Sequence, residues 1–340
     1  MIDTSLYKYE EQDYNFTKYD GKQDWEYQEQ VGTSKFFSLP YIVKNYTKET
    51  LKLNWENLGF VICKPDAVYL HLEQEILSFL QRKGFKILTC KYVTVTPDLC
   101  RLLYWNEGNL EWWHELEAEF YNLGESLCVL VQGTPKPPYK SVSELIVKKL
   151  KGNFRPEKAK EGTVRNTFGS INGIFNLFHA ADCTSATKRE AALFFTTEEL
   201  ERLTYQGTPY FLKQKEKHNL DFIEMYFRIK QQCIQISSMN PGVKKRYKKF
   251  IDEKHIQSIS VSNSMKQIWL YKTLQEEYQM FYKDIRKDKL LMSITDYKHF
   301  KRIKFDELFR EFVTVSINLT RWETCLFKTS LLLAGKFSKP

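Results

Sequence analysis

An α+β fold is predicted: a ferredoxin-like antiparallel sheet with helices over residues 56–204, followed by a basic, mainly helical region over 205–340. Three observations lead there. Short apolar runs of strand length alternate with helix-period segments, in an order that suits a parallel doubly wound sheet poorly. Beyond about Thr204 the apolar residues settle into spacings of three and four. The charge also changes sign: residues 205–340 carry 26 Lys+Arg against 14 Asp+Glu, a net of +12, while residues 1–204 come to −3.

Residues 1–55 alternate aromatic and polar groups without long apolar periods, and read as an extension laid over the main domain or reaching a partner subunit. The first element is the run Gly59-Phe60-Val61-Ile62-Cys63, a buried strand that stops at Lys64-Pro65 because proline cannot donate to a ladder. Leu72, Ile76, Leu77, Phe79, Leu80 and Phe85 then mark a helix ending near Gly84. Residues 86–95 are β-rich and give a second strand. Short helices follow around Leu99–Tyr104 and Glu111–Tyr121, a third strand at Ser126–Gln132, a helix over Ser141–Leu150, a fourth strand near Asn176–His179 and a helix over Ser185–Phe195. The helices are expected on one face of the sheet. In the last region Ile268, Leu270, Tyr271, Leu274, Tyr278, Phe281, Tyr282 and Ile285 repeat at helical spacing. The dense run Lys244-Lys245-Arg246-Tyr247-Lys248-Lys249 reads as a linker, a helix face or a phosphate-binding patch.

Composition narrows the class. An apolar fraction of 42%, with 24 Phe and 20 Tyr, supports a folded chain rather than a disordered one. The seven cysteines form no C-x-x-C pair and sit mostly in apolar runs, so they read as reduced core thiols of a cytoplasmic protein rather than zinc ligands or disulfides. Met1–Tyr19 has neither the basic flank nor the apolar stretch of a secretion signal, and no window approaches the roughly 20 apolar residues of a membrane span.

No Walker loop, G-x-x-x-x-G-K-[ST], is present. The chain carries instead a strand ending in Lys64-Pro65-Asp66-Ala67-Val68, then Glu161-Gly162-Thr163-Val164-Arg165-Asn166-Thr167-Phe168-Gly169, then Asn176-Leu177-Phe178-His179-Ala180-Ala181-Asp182, then Lys188-Arg189-Glu190-Ala191-Ala192-Leu193-Phe194-Phe195. Each piece is weak by itself: a lone histidine among Phe178, Leu177 and Ala180 is usually a core residue, and Tyr104 and Trp112 alone read as core aromatics. As an ordered set over residues 58–195, they resemble the nucleoside diphosphate kinase family.

That resemblance implies a set of roles. His179 takes the γ-phosphoryl group of a nucleoside triphosphate and passes it to a nucleotide or nucleotide-like acceptor, and Glu190 orients its imidazole. Lys64, Lys148 and Arg165 meet phosphates, Tyr104 lies beside the histidine, Trp112 stacks on the base and Asn176 binds the sugar. Asp182 matches the family's aspartate, Mg2+ accompanies the nucleotide, and a homo-oligomer is expected. The chemistry suits those residue types, because neutral imidazole is a nucleophile near pH 7 and a carboxylate fixes its tautomer.

Departures from the pattern point to altered activity. Ala181 stands where the family has a serine, Phe154 where it has a phosphate-contacting threonine, Lys148 where it has an arginine and Thr167 where it has an aspartate; one residue is inserted between Arg165 and His179. Losing hydroxyls around a phosphate site also fits a nucleotide sensor or scaffold that binds without turnover, with the basic 205–340 region engaging a partner. Basic residues interleaved with aromatics make nucleic acid one such partner.

Overall fold

The computed structural model describes residues 53–104, 111–203, 212–213 and 221–334; of Glu111 and Trp112 the backbone but not the side chain is included. The extension expected over 1–55 therefore lies almost wholly outside the described residues.

Four strands form one antiparallel sheet in the order β2-β3-β1-β4, with β1 at Leu58–Cys63, β2 at Lys86–Val93, β3 at Ser126–Gln132 and β4 at Phe178–Ala180. β1 lies between β3 and β4: Ile62 is opposite Cys128 on one side and His179 on the other. Between the strands come the helices Pro65–Tyr69, Glu73–Arg82, Pro97–Leu103, Glu111–Tyr121 and Val142–Leu145, and the last runs into a π-helical turn at Ile146–Lys151. The helix Thr184–Phe194 follows β4.

Both faces of the sheet are covered, not one. Every residue of β1 is buried. Phe60 and Ile62 belong to an apolar cluster with Leu103, Phe120 and Phe194; Val61 and Cys63 belong to a second cluster with Ile76, Leu80 and Ile146. The cause is legible in β1 itself, since four successive apolar residues suit a strand buried on both sides and not one alternating between core and water. A fully buried Phe or Ile contributes about 1.5–3 kcal/mol, so the two-sided strand is a main source of stability.

The described chain from 221 onward is helical: Phe222–Ile236, Pro241–Ser258, Lys266–Ile285, Lys289–Ser293, Phe305–Thr314 and Arg321–Ala334. Local chemistry starts these helices. The Asp221 carboxylate accepts from the amides of Ile223 (2.8 Å) and Glu224 (3.4 Å), and Asn240 caps a helix whose first residue is Pro241. Tyr226, Phe227, Phe281, Phe312 and Phe327 share the apolar cluster of Phe60 and Ile62, so one core runs from the sheet into the last helices. No helix among the described residues is long and apolar enough to cross a membrane. All seven cysteines are free thiols; Cys90 and Cys183 are half-buried and the rest buried.

Three boundaries differ from expectation for physical reasons. Pro65 opens the helix Pro65–Tyr69 as well as ending β1, because its missing N–H costs nothing at a first helical position. The expected helix Ser141–Leu150 widens into the π-helical turn after Leu145. β4 begins at Phe178 rather than Asn176, because Leu177 adopts φ 65°, outside the strand region.

Candidate active site

β4 places His179 opposite Ile62, so the imidazole points to the face that bears Phe60 and Ile62. The helix Thr184–Phe194 crosses that face and buries Ala186, Thr187, Glu190, Ala191 and Phe194, the stripe of a 3.6-residue period. Glu190 is the one carboxylate on the stripe. Its Oε2 lies 2.7 Å from His179 Nε2, and its Oε1 accepts from Arg189 at 3.0 Å. Arg189 is anchored in turn by donating to the Leu102 carbonyl at 2.9 Å. The ring of Tyr104 stands edge-on to the imidazole with centroids 5.4 Å apart, and its hydroxyl pairs with that of Tyr121 at 2.9 Å.

Burial lowers the His179 pKa below its ordinary 6.5, and the neighbouring Glu190 only partly opposes this. The imidazole is therefore neutral near pH 7. With Nε2–H donated to Glu190, the lone pair sits on Nδ1, which meets no hydrogen-bond partner among the described residues.

Two cations converge on the segment before β4. Lys64 is 1% exposed, and its Nζ donates to the Ile174 carbonyl at 2.9 Å and to Asn176 Oδ1 at 3.1 Å. It also lies over the rings of Phe120 (4.8 Å) and Tyr121 (5.3 Å). Desolvation pulls its pKa down to about 8. Arg165, on the short helix Val164–Thr167, donates to Asn176 Oδ1 (3.1 Å) and to the carbonyls of Asn176 (3.2 Å), Phe178 (2.7 Å) and Gly152 (3.2 Å). Gly152 is required there: its φ is +87°, and an added Cβ would come within 2.6 Å of Thr163 Oγ1. Asn176 Oδ1 thus joins Lys64 to Arg165 three residues before His179.

Leu177 holds the left-handed conformation because both its backbone groups are spoken for. Its amide donates to Asp66 Oδ2 at 3.0 Å, and its carbonyl accepts from the Lys64 amide at 2.9 Å. A non-glycine residue in that region costs about 1–3 kcal/mol and persists where its surroundings over-determine it. Burial raises Asp66 to a pKa of about 6, with Lys64 and the bonded amides working against that rise.

The sequence-selected residues divide cleanly. His179, Glu190, Lys64, Tyr104, Arg165 and Asn176 come together. Lys148 does not join them: it is exposed on the π-helical turn, and it is Lys151 that turns inward, donating to the Ala180 carbonyl at 3.2 Å and lying 3.6 Å from Asp182. The Trp112 side chain lies outside the described residues; its neighbour Trp113 meets Phe154 edge to face at 6.2 Å. Sequence reasoning passed over Asp66, Arg189 and Lys151. Asp66 and Arg189 adjoin singled-out residues, which was the available signal.

A buried histidine–carboxylate pair on a four-stranded antiparallel α+β sheet, flanked by two buried cations, is the class of protein this geometry defines. The sequence model of the family described as nucleoside diphosphate kinase matches residues 57–200. A nucleoside diphosphate kinase of Sulfurisphaera tokodaii is 32% identical over 141 residues, which cover 42% of this chain and 90% of that protein. One of Methanobrevibacter smithii is 31% identical over 142 residues, covering 42% and 89%. A solved structure of a nucleoside diphosphate kinase family protein from Babesia bovis aligns at 28% identity over 42% of this chain and 90% of that one, with a TM-score of 0.37. The chain belongs to the nucleoside diphosphate kinase family.

Proposed function

We propose that this chain is a divergent nucleoside diphosphate kinase-like phosphotransferase working through phospho-His179. The observation that carries the reading is the 2.7 Å contact of His179 Nε2 with Glu190, which leaves the Nδ1 lone pair as nucleophile. Nδ1 attacks the γ-phosphorus of a nucleoside triphosphate. An N–P bond forms, the P–O bond to the bridging oxygen breaks, and its electron pair leaves with the nucleoside diphosphate. In the second half a terminal phosphate oxygen of the acceptor attacks phosphorus, the N–P bond breaks and the neutral imidazole returns. Glu190 holds the Nε2 proton throughout and offsets charge developing on the ring.

Lys64 and Arg165 are the groups we assign to the phosphates, as preformed, buried donors that need little reorganisation. Asn176 fixes both, and we assign it the sugar hydroxyl as well. Mg2+ bound to the nucleotide would neutralise phosphate charge, and Asp182, 60% exposed at its side chain and three residues past His179, would be the carboxylate to hold it. Lys148, exposed on the π-helical turn, and Trp112 are assigned to phosphate and base by the family resemblance alone, and self-association remains part of the reading.

The pH profile tests these assignments. Protonation of His179 removes the nucleophile, so phosphoenzyme formation should fall as pH drops through the lowered histidine pKa, below 6.5. The same sign holds for stability: the unfolded histidine binds its proton more readily than the folded one, so stability falls toward acid. Deprotonation of Lys64 removes a phosphate cation, so nucleotide binding should weaken as pH rises through about 8. A stopped-time labelling series from pH 5 to 9 should give a bell; a profile flat across that range would sink both assignments.

A second reading, nucleotide binding without turnover, has its own observation. Phe154, packed against Trp113, brings a ring where a hydroxyl would serve a phosphate, and Ala181 supplies none beside His179. In that reading the helix Pro241–Ser258 serves a partner. It carries Lys244, Lys245, Arg246, Lys248 and Lys249 in its first half and no acid in its first turn, against the preference of the positive end of the helix dipole. Nucleic acid is the partner such a face suits, which a steep loss of affinity with salt would establish and salt-insensitive binding would refute.

A further inference from the structure

The loop between Arg165 and His179 is tied to the far end of the chain by one side chain. Asn172 is fully buried. Its Oδ1 accepts from the amides of Ile174 (2.8 Å) and Phe175 (2.9 Å); its Nδ2 donates to Thr329 Oγ1 (3.1 Å) and Ser330 Oγ (2.9 Å) on the helix Arg321–Ala334. All four hydrogen-bonding positions of the amide are filled, and a flipped amide would set its NH2 against two backbone N–H groups, so the orientation is fixed. Thr329 is itself oriented by donating to the Cys325 carbonyl at 2.8 Å.

Packing follows the same line. Phe175 sits between Phe120 (centroids 4.7 Å) and Trp322 of the last helix (6.3 Å). Gly173 lets Trp113, Phe154 and Leu333 close in: a Cβ there would lie 3.2, 3.3 and 3.5 Å from them. Directly downstream are two of the groups that hold the cations, the Ile174 carbonyl on Lys64 and Asn176 Oδ1 on both Lys64 and Arg165.

We propose that Asn172 is a positioning residue: by clamping this loop to the helix Arg321–Ala334 it sets Lys64 and Arg165 in place, making the C-terminal helical region a working part of the phosphoryl-transfer site. This rests on the reading of Lys64 and Arg165 as phosphate cations. The consequence is that occupancy of the nucleotide site and docking of the last helix are coupled, since each favours the same loop conformation.

The test uses the full chain with the double variant Thr329→Val, Ser330→Ala, which removes the helix's acceptors and leaves Asn172 intact. Lys328→Gln, on the same helix, is the control: it breaks the 2.7 Å ion pair with Glu119 of the helix Glu111–Tyr121 without touching the loop. Mg·ATP binding by calorimetry across pH 6–10, thermal unfolding and acid-labile labelling are measured on each. The titratable groups facing Lys64 besides the loop, Glu117, Asp66, Arg165, Cys100 and Tyr121, are unchanged in both variants. The double variant should bind Mg·ATP about tenfold more weakly, the scale of one buried hydrogen-bonded contact. Its alkaline limb should move up from about 8 toward the ordinary 10.5 as Lys64 is released to water, while Lys328→Gln keeps the parental affinity and limb. Equal loss of affinity in both variants at equal loss of melting temperature, or an unmoved alkaline limb in the double variant, overturns the proposal. Parental protein that binds Mg·ATP but takes no label would refute phospho-His179 alone, and the binding arm would still decide the role of Asn172.

Discussion

Arg165→Ala should abolish detectable phosphoenzyme formation, with a fall in the single-turnover labelling rate of about a thousandfold or more. The guanidinium donates to the carbonyls of Gly152, Asn176 and Phe178 and to Asn176 Oδ1, bracketing the strand that carries His179. Alanine removes the charge assigned to the phosphates and strands buried acceptors, each costing about 1–3 kcal/mol. Arg165→Lys should recover little, because a point charge cannot span carbonyls on three residues. Rapid-quench labelling with γ-labelled ATP, read beside thermal unfolding, checks this. An Arg165→Ala protein that labels within tenfold of the parent would remove Arg165 from the site.

The second large effect lies in the C-terminal helices and concerns stability. Lys230 and Glu277 are both fully buried, 2.8 Å apart, on the helices Phe222–Ile236 and Lys266–Ile285. Tyr247, from the helix between them, donates to the same carboxylate oxygen, and Lys230 also reaches Thr295 and the Ile294 carbonyl. Desolvation lowers the Lys230 pKa even with Glu277 beside it. Removing one partner leaves a buried charge uncompensated, so Glu277→Leu should cost about 3–5 kcal/mol. The triple change Lys230→Met, Glu277→Leu, Tyr247→Phe replaces the network with apolar groups and should restore most of that loss. Urea unfolding of the two variants checks the order. If the single variant is as stable as the parent, the pair does not hold these helices together.

Much of the sheet, and most of the residues that the structure gathers around His179, were legible in the sequence, and the reasons differ by residue. Phe60-Val61-Ile62-Cys63 declares a strand, and its unbroken apolarity suits cover on both faces rather than the one face expected. His179 and Glu190 stand eleven positions apart, and only the surrounding motif linked them; the structure brings them to 2.7 Å. The shift of β4 followed from the left-handed Leu177, a conformation no local propensity announces for leucine. Lys151 rather than Lys148 turns inward because the helix widens to a π-helical turn, which rotates the positions after Leu145 away from an α-helical register. The bond from Asn172 to Thr329 joins residues 157 positions apart, so nothing nearby in the chain could signal it.

The central claim is that His179 carries the phosphoryl group, and incubation with γ-labelled ATP and Mg2+ reaches it most directly. Parental protein and His179→Ala are compared for label on the chain that is lost in acid and kept in alkali. Such label on the parent and its absence from His179→Ala is the predicted result. Equal label on both proteins, or none on parental protein that binds Mg·ATP, would contradict it.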